Sequence, residues 1–183
     1  MRWDLPTSAD VNGTEYEIRS DYRAILDICV ALNDPELDER EKAQVALDIF
    51  YPAFETMPRR DYEEALKQCF FFIDGGEERN GTKAVKLVDW EQDYKFIISP
   101  INTAAGTDVR SLEYLHWWSF LSYYMDMGDC LFAQIVRIRQ KKARGERLEK
   151  YEEKWYRENR AIVDIKTKYS SEEDELIRKW TEF

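Results

Sequence analysis

Residues 111–142 read SLEYLHWWSFLSYYMDMGDCLFAQIVRIRQKK, and this stretch decides the fold. Its first part, 111–127, sets Leu112, Tyr114, Leu115, Trp117, Trp118, Phe120, Leu121, Tyr123, Tyr124 and Met127 around every side of a helix. A helix that is apolar all round is a buried one. Gly128 interrupts it. A second helix then runs from Asp129 to about Lys142, with Leu131, Phe132, Ile135 and Ile138 turned inward. Two such helices need others packed around them.

The flanking sequence supplies those helices. Downstream, a helix from about Glu146 to Thr167 carries Leu148, Tyr151, Trp155, Ile162 and Ile165 at roughly heptad spacing. Ser170-Ser171-Glu172-Glu173 then caps a short terminal helix with Leu176, Ile177 and Trp180. Upstream, a helix from about Val88 to Ile98 breaks at Ser99-Pro100, and Asn102 to Asp108 is a loop. The polar, glycine-rich stretch 74–86 is another loop. Before it, a helix over about Arg60 to Ile73 turns Tyr62, Ala65, Leu66, Cys69, Phe70 and Ile73 to one side. A helix from Leu37 to about Tyr51 is acidic at its start and buries Ala43, Ala46, Leu47 and Phe50. The first helix is capped by Ser20, uses Tyr22, Ile25, Leu26, Cys29 and Leu32, and ends at Asn33-Asp34-Pro35. Ahead of it, Val11 and Tyr16-Glu17-Ile18 flank Asn12-Gly13, a two-residue hairpin turn within about residues 3–18. The pattern predicts a mainly α protein: a bundle of about six to seven helices with a small N-terminal β-hairpin. One domain covers 1–169, and 170–183 is a C-terminal tail or short helix.

Composition narrows the function. The chain has 183 residues, about one domain's worth, with 26 aromatic side chains to build a core. Its 27 Lys and Arg stand against 37 Asp and Glu, a net charge of −10. So acidic a surface repels a phosphate backbone, which argues against nucleic acid as partner. No uncharged run exceeds 12 residues, the length of Tyr114 to Met125, short of the ~20 that span a bilayer. Met1-Arg2-Trp3-Asp4-Leu5-Pro6 has no apolar stretch behind its Arg, so no secretory signal is expected. Cys29, Cys69 and Cys130 are odd in number and far apart, which points to free thiols in the cytoplasm.

No catalytic motif stands out, and no cofactor or metal is expected. Gly75, Gly76 and Gly81 lack the Lys-Ser or Lys-Thr of a phosphate loop. The single histidine, His116, has no second histidine for a zinc site and reads as a core residue mid-helix. Asp89 and Asp93 share a helix face, where a carboxylate pair can bind a metal, although Asp89 is placed to cap that helix. Arg137, Arg139, Lys141, Lys142, Arg144, Arg147 and Lys150 form a basic run in an acidic protein. It is a helix end complementing its dipole, a surface for an anionic partner, or a self-association surface that meets the acidic helices. Trp155, Tyr156, Trp180 and Phe183 lie on charged segments, as interface anchors or as groups docked on the protein's own helices. The candidate partner-binding residues are therefore Arg137, Arg139, Lys141, Lys142, Arg144, Trp155, Tyr156, Trp180 and Phe183. Charge reversal at Arg139, Lys141 and Lys142 is expected to weaken assembly more than folding.

Several of these motifs together resemble a known family. They are Asp89-Trp90 with Asp93, the isoleucine-rich Ile97 to Ile101, Gly106-x-Asp108, Leu115-His116-Trp117-Trp118-x-Phe120, Ile135-x-x-Ile138-Arg139-x-Lys141 and Trp155-Tyr156. With Trp3-x-Leu5-Pro6, Tyr16-x-Ile18 and Asp21-x-Arg23, they are similar to the bacteriophage gene-product-fifteen family of long-tailed phages and prophages, up to about residue 165. The resemblance implies a protein of tail morphogenesis, encoded near the tape measure protein and commonly described as a tail assembly chaperone. No catalytic residue transfers with it, and Asp89, Asp93, His116, Trp117 and Arg139 fall on buried or capping positions. The expected function is a non-catalytic chaperone in the host cytoplasm that binds the tape measure protein and self-associates, with contact to other tail proteins. A tail or connector subunit retained in the virion is the alternative, and a metal-dependent enzyme using Asp89 and Asp93 is a further one.

Overall fold

A computed structural model describes residues 4–78 and 85–173, together with 175 and 178. Trp3, Leu176, Ile177, Trp180 and Phe183 lie outside the described residues. The protein is mainly helical with an N-terminal two-stranded antiparallel hairpin, and the chain forms two compact units.

The first unit takes residues 1–78 and 167–183. Strands β1 (Ser8–Val11) and β2 (Thr14–Glu17) pair with Val11 opposite Thr14. That register leaves Asn12 and Gly13 as the turn, with φ of 53° and 83°. Both values suit the mirror-image turns that match strand twist. Asn12 donates to the buried carboxylate of Asp61 at 2.8 Å, which ties the turn to the start of the third helix. Helices α1 (Tyr22–Ala31), α2 (Glu39–Phe50) and α3 (Tyr62–Ile73) follow. The cap of α1 is Asp21, not Ser20: Asp21 has extended backbone and accepts from the Arg23 amide at 2.9 Å, while Ser20 is buried one residue earlier. The buried face of α1 is Tyr22, Ile25 and Ile28, so Leu26 and Cys29 are only half-buried. A capping box, Asp38 with Glu41, delays α2 past Leu37. Where α2 ends, the Tyr51 hydroxyl donates to the Ala65 carbonyl at 3.0 Å, joining it to α3. Burial, with Cys69 and Glu64 nearby, pushes the Tyr51 phenol well above its ordinary pKa and keeps it a donor. Gly76 and Gly75 donate to the Phe71 and Phe72 carbonyls, a closing motif that needs the positive φ found at Gly75. Ser170 and Glu173 exchange side-chain and backbone hydrogen bonds of 2.9 and 3.2 Å, the capping box read from the sequence.

The second unit takes residues 79–166. It holds α4 (Trp90–Ala105), α5 (Trp117–Met125), α6 (Leu131–Ala143) and α7 (Lys150–Val163). The expected break at Ser99-Pro100 does not occur. Helix α4 continues through Pro100 and stops at Gly106, whose φ is 68°. An internal proline costs about 3 kcal/mol. Ile97 and Ile101 are buried one turn apart across it. Burying two isoleucines contributes about 1.5–3 kcal/mol each, enough to offset that cost.

Helix α5 is shorter than expected because His116 is its cap rather than a mid-helix residue. Nor is it buried all round: Met125 is exposed, as is Tyr114 just before the helix. Leu131 also faces out, since the cap of α6 is Cys130, whose Sγ accepts from the Ala133 amide. Phe132, Ile135 and Ile138 do point in. A Glu149–Glu152 capping box starts α7, and a kink at Asn159 (φ −118°, ψ 18°) resets its phase. The heptad seam fails at Tyr151, which is exposed, while Glu152 turns inward.

Candidate functional site

The sequence places its candidate polar residues on α4, α6 and α7, and the structure brings most of them together there. Asp89 caps α4 by accepting from the amides of Glu91 and Gln92. One turn on, Asp93 is fully buried and accepts from the Asp89 amide at 2.9 Å. Opposite it stands Arg139, 6% exposed. Its guanidinium grips both Asp93 oxygens at 2.6 and 2.9 Å, a bidentate fork. The remaining donors reach the carbonyls of Leu87 (2.9 Å), Ile162 (3.2 Å) and Val163 (2.6 Å). All five N–H groups of an arginine are thus used. Two of those carbonyls end α7, where a cation is favoured by the helix dipole. Arg139 therefore fastens α4, α6 and α7 from inside, and it does not lie on a partner surface. A metal at Asp93 would have to displace this guanidinium.

The rest of the basic run is largely paired within the unit. Lys141 binds both oxygens of Glu152 at 2.8 and 2.7 Å, and the Glu152 side chain is 4% exposed. Lys142 meets Asp164 at 2.6 Å and also donates to the Tyr156 hydroxyl. That hydroxyl and Arg160 both donate to Asp164. Arg137 and Arg144 make only loose, exposed pairs with Asp129 and Glu146. Trp155 and Tyr156 pack half-buried against Ile135, Ile138 and Val163, so the docked reading describes them. Of the nine candidate partner residues, only Arg137, Lys142 and Arg144 are exposed among those described. Trp180 and Phe183 are outside the described residues.

These pairs set an acid response. Hydrogen bonds from Lys141 and the Glu149 amide hold the Glu152 carboxyl below its ordinary 4.5. Burial pushes Asp164 up, but hydrogen bonds from Lys142, Arg160 and Tyr156 outweigh this and leave it below 3.8. A carboxylate whose folded pKa is depressed stabilises the fold above its ordinary pKa, and that contribution disappears as pH falls through the folded value. Thermal melts should therefore show Tm dropping below about pH 4. Glu152→Gln with Asp164→Asn should lower Tm at pH 7 and flatten that acid limb; an unchanged limb would mean other carboxylates set it.

His116 accepts the Trp118 amide on Nδ1 at 3.0 Å, which makes it the buried cap of α5. Sequence reasoning missed the exposed apolar side chains Tyr114, Met125, Leu131 and Tyr151. Leu131 and Tyr151 line one concavity of about 390 Å³ beside Gln134 and Arg137. Only the inward turn of Glu152 shows that Tyr151 must face out. Among the described residues no helix is long and apolar enough to cross a membrane.

A family model described as "Bacteriophage Gp15 protein" matches residues 1–169. The chain belongs to the bacteriophage Gp15 family. No curated protein and no solved structure matches it. In this Gp15 protein the motif residues Asp89, Asp93, His116, Trp117 and Arg139 are all buried, each as a cap, core ring or ion pair of the second unit. They act as the frame of the fold.

Proposed function

We propose that this Gp15 protein is a non-catalytic tail assembly chaperone that binds the tape measure protein in the bacterial cytoplasm and self-associates along it. Membership of a phage protein family over 169 of the 183 residues carries the reading. A tape measure chain is long and helical, with apolar stripes that need cover until a tail tube surrounds it. Exposed Tyr114, Met125, Leu131 and Tyr151 on a helical frame suit such stripes, and a net charge of −10 keeps the complex in solution. The non-catalytic reading draws support from the polar groups themselves: Asp89, Asp93, Arg139 and His116 are engaged in capping and ion pairing. Free thiols at Cys29, Cys69 and Cys130 suit a reducing compartment.

Co-expression with the tape measure protein tests this. The expected result is a soluble complex with many copies of this chain per client, seen by size exclusion with light scattering. A tape measure chain that stays insoluble beside a free small protein would end the proposal. Recovery of the protein in purified virions would move it to the structural subunits.

A further inference from the structure

Charge is divided sharply along the chain. Residues 1–78 hold 8 Lys and Arg against 19 Asp and Glu, a net of −11. Residues 79–166 hold 16 against 13, a net of +3, and 167–183 hold 3 against 5, a net of −2. Among the described residues of 79–166, nine of the 14 cations are spent on internal pairs. Lys95 and Lys166 are not, and neither are three that follow one another along the chain, Arg147, Lys150 and Lys154. Among the described residues no carboxylate lies within 4 Å of any of them. Three nearby acids are engaged elsewhere, Glu146 with Arg144, Glu153 with Arg157, and Glu149 with Glu152 in the capping box. All three cations are exposed. Lys150 opens α7, Lys154 follows one turn later on the same face, and Arg147 leads into them.

Helix stability does not account for this placement. The N-terminus of a helix carries partial positive charge and disfavours cations. Lys141 and Lys142 sit in the last turn of α6, where the dipole favours them. Lys150 sits at the opposite, unfavourable end of α7, and Lys154 follows one turn on.

We propose that Arg147, Lys150 and Lys154 are the basic half of a head-to-tail contact whose acidic half is the N-terminal unit of a second copy. Such a contact joins unlike surfaces, so each copy keeps a free acidic and a free basic half for the next. Each exposed pair contributes only about 0.2–1 kcal/mol. The contact is weak between free molecules and becomes effective once copies are aligned on one client. It deepens the proposed function, resting on it for the client that aligns the copies.

Sedimentation velocity on the full chain tests the contact, at the highest soluble concentration and in about 50 and about 500 mM salt. Wild type should associate in low salt and dissociate in high salt. R147E/K150E/K154E should weaken association at least about tenfold, with an unchanged far-UV spectrum and Tm. The neutral K150Q/K154Q should fall between the two. Association that persists unchanged in the triple variant overturns the proposal. So does a monomeric wild type in low salt; if that wild type still solubilises the tape measure chain, the chaperone reading survives alone. Binding of a labelled single-stranded DNA that is lost in the triple variant would also overturn it, by giving the stripe a nucleic-acid partner.

Discussion

Arg139→Ala is expected to lower stability by about 3–5 kcal/mol, the cost of leaving a buried charge without its partner. The change strands the Asp93 carboxylate at zero exposure and removes the donors that hold the Leu87, Ile162 and Val163 carbonyls. Asp93→Ala should cost a similar amount for the converse reason. Arg139→Lys keeps the charge but offers three donors in place of five, so it should fall between wild type and alanine. Replacing both partners with apolar residues should recover part of the loss, because no buried charge then remains. Guanidinium denaturation followed by tryptophan fluorescence would measure each step. A loss under about 1 kcal/mol for Arg139→Ala would mean that water reaches the pair in solution. The expectation that reversal at Arg139, Lys141 and Lys142 weakens assembly more than folding is therefore revised for Arg139, whose buried ion pair puts the expected effect on folding.

Trp117→Ala should cost about 3–5 kcal/mol, as for other large aromatic truncations in cores. Among the described residues Trp117 is the largest fully buried side chain, stacked on Phe120 at 5.5 Å with Trp90 edge-on at 5.9 Å. Trp118→Ala is the control. Trp118 is only half-buried, so its loss should be less than half as large. Equal losses would mean that the two rings share the core equally. From the sequence the pair cannot be told apart. Which ring goes in depends on where α5 begins, and that is decided by His116 taking the cap.

What was legible in the sequence acts over short range. Asn12-Gly13 alone specifies the hairpin, because only such residues take positive φ at both turn positions cheaply. The Ser170–Glu173 box is likewise local, with donor and acceptor three residues apart. Helix count, the free thiols and the acidic balance follow from composition and periodicity. Tertiary structure decided the rest. Pro100 stays helical because Ile97 and Ile101 find a core around them. Leu131 faces out and Arg139 faces in, although both lie on one helix whose apolar pattern suggests the reverse. Asp93 and Arg139 are 46 residues apart, and Lys141 meets Glu152 across a turn. Nothing in a basic run tells which cations will be consumed inside and which remain for a partner. That follows from which carboxylates the packed helices carry to within hydrogen-bond reach, and periodicity read along one chain does not contain that distance.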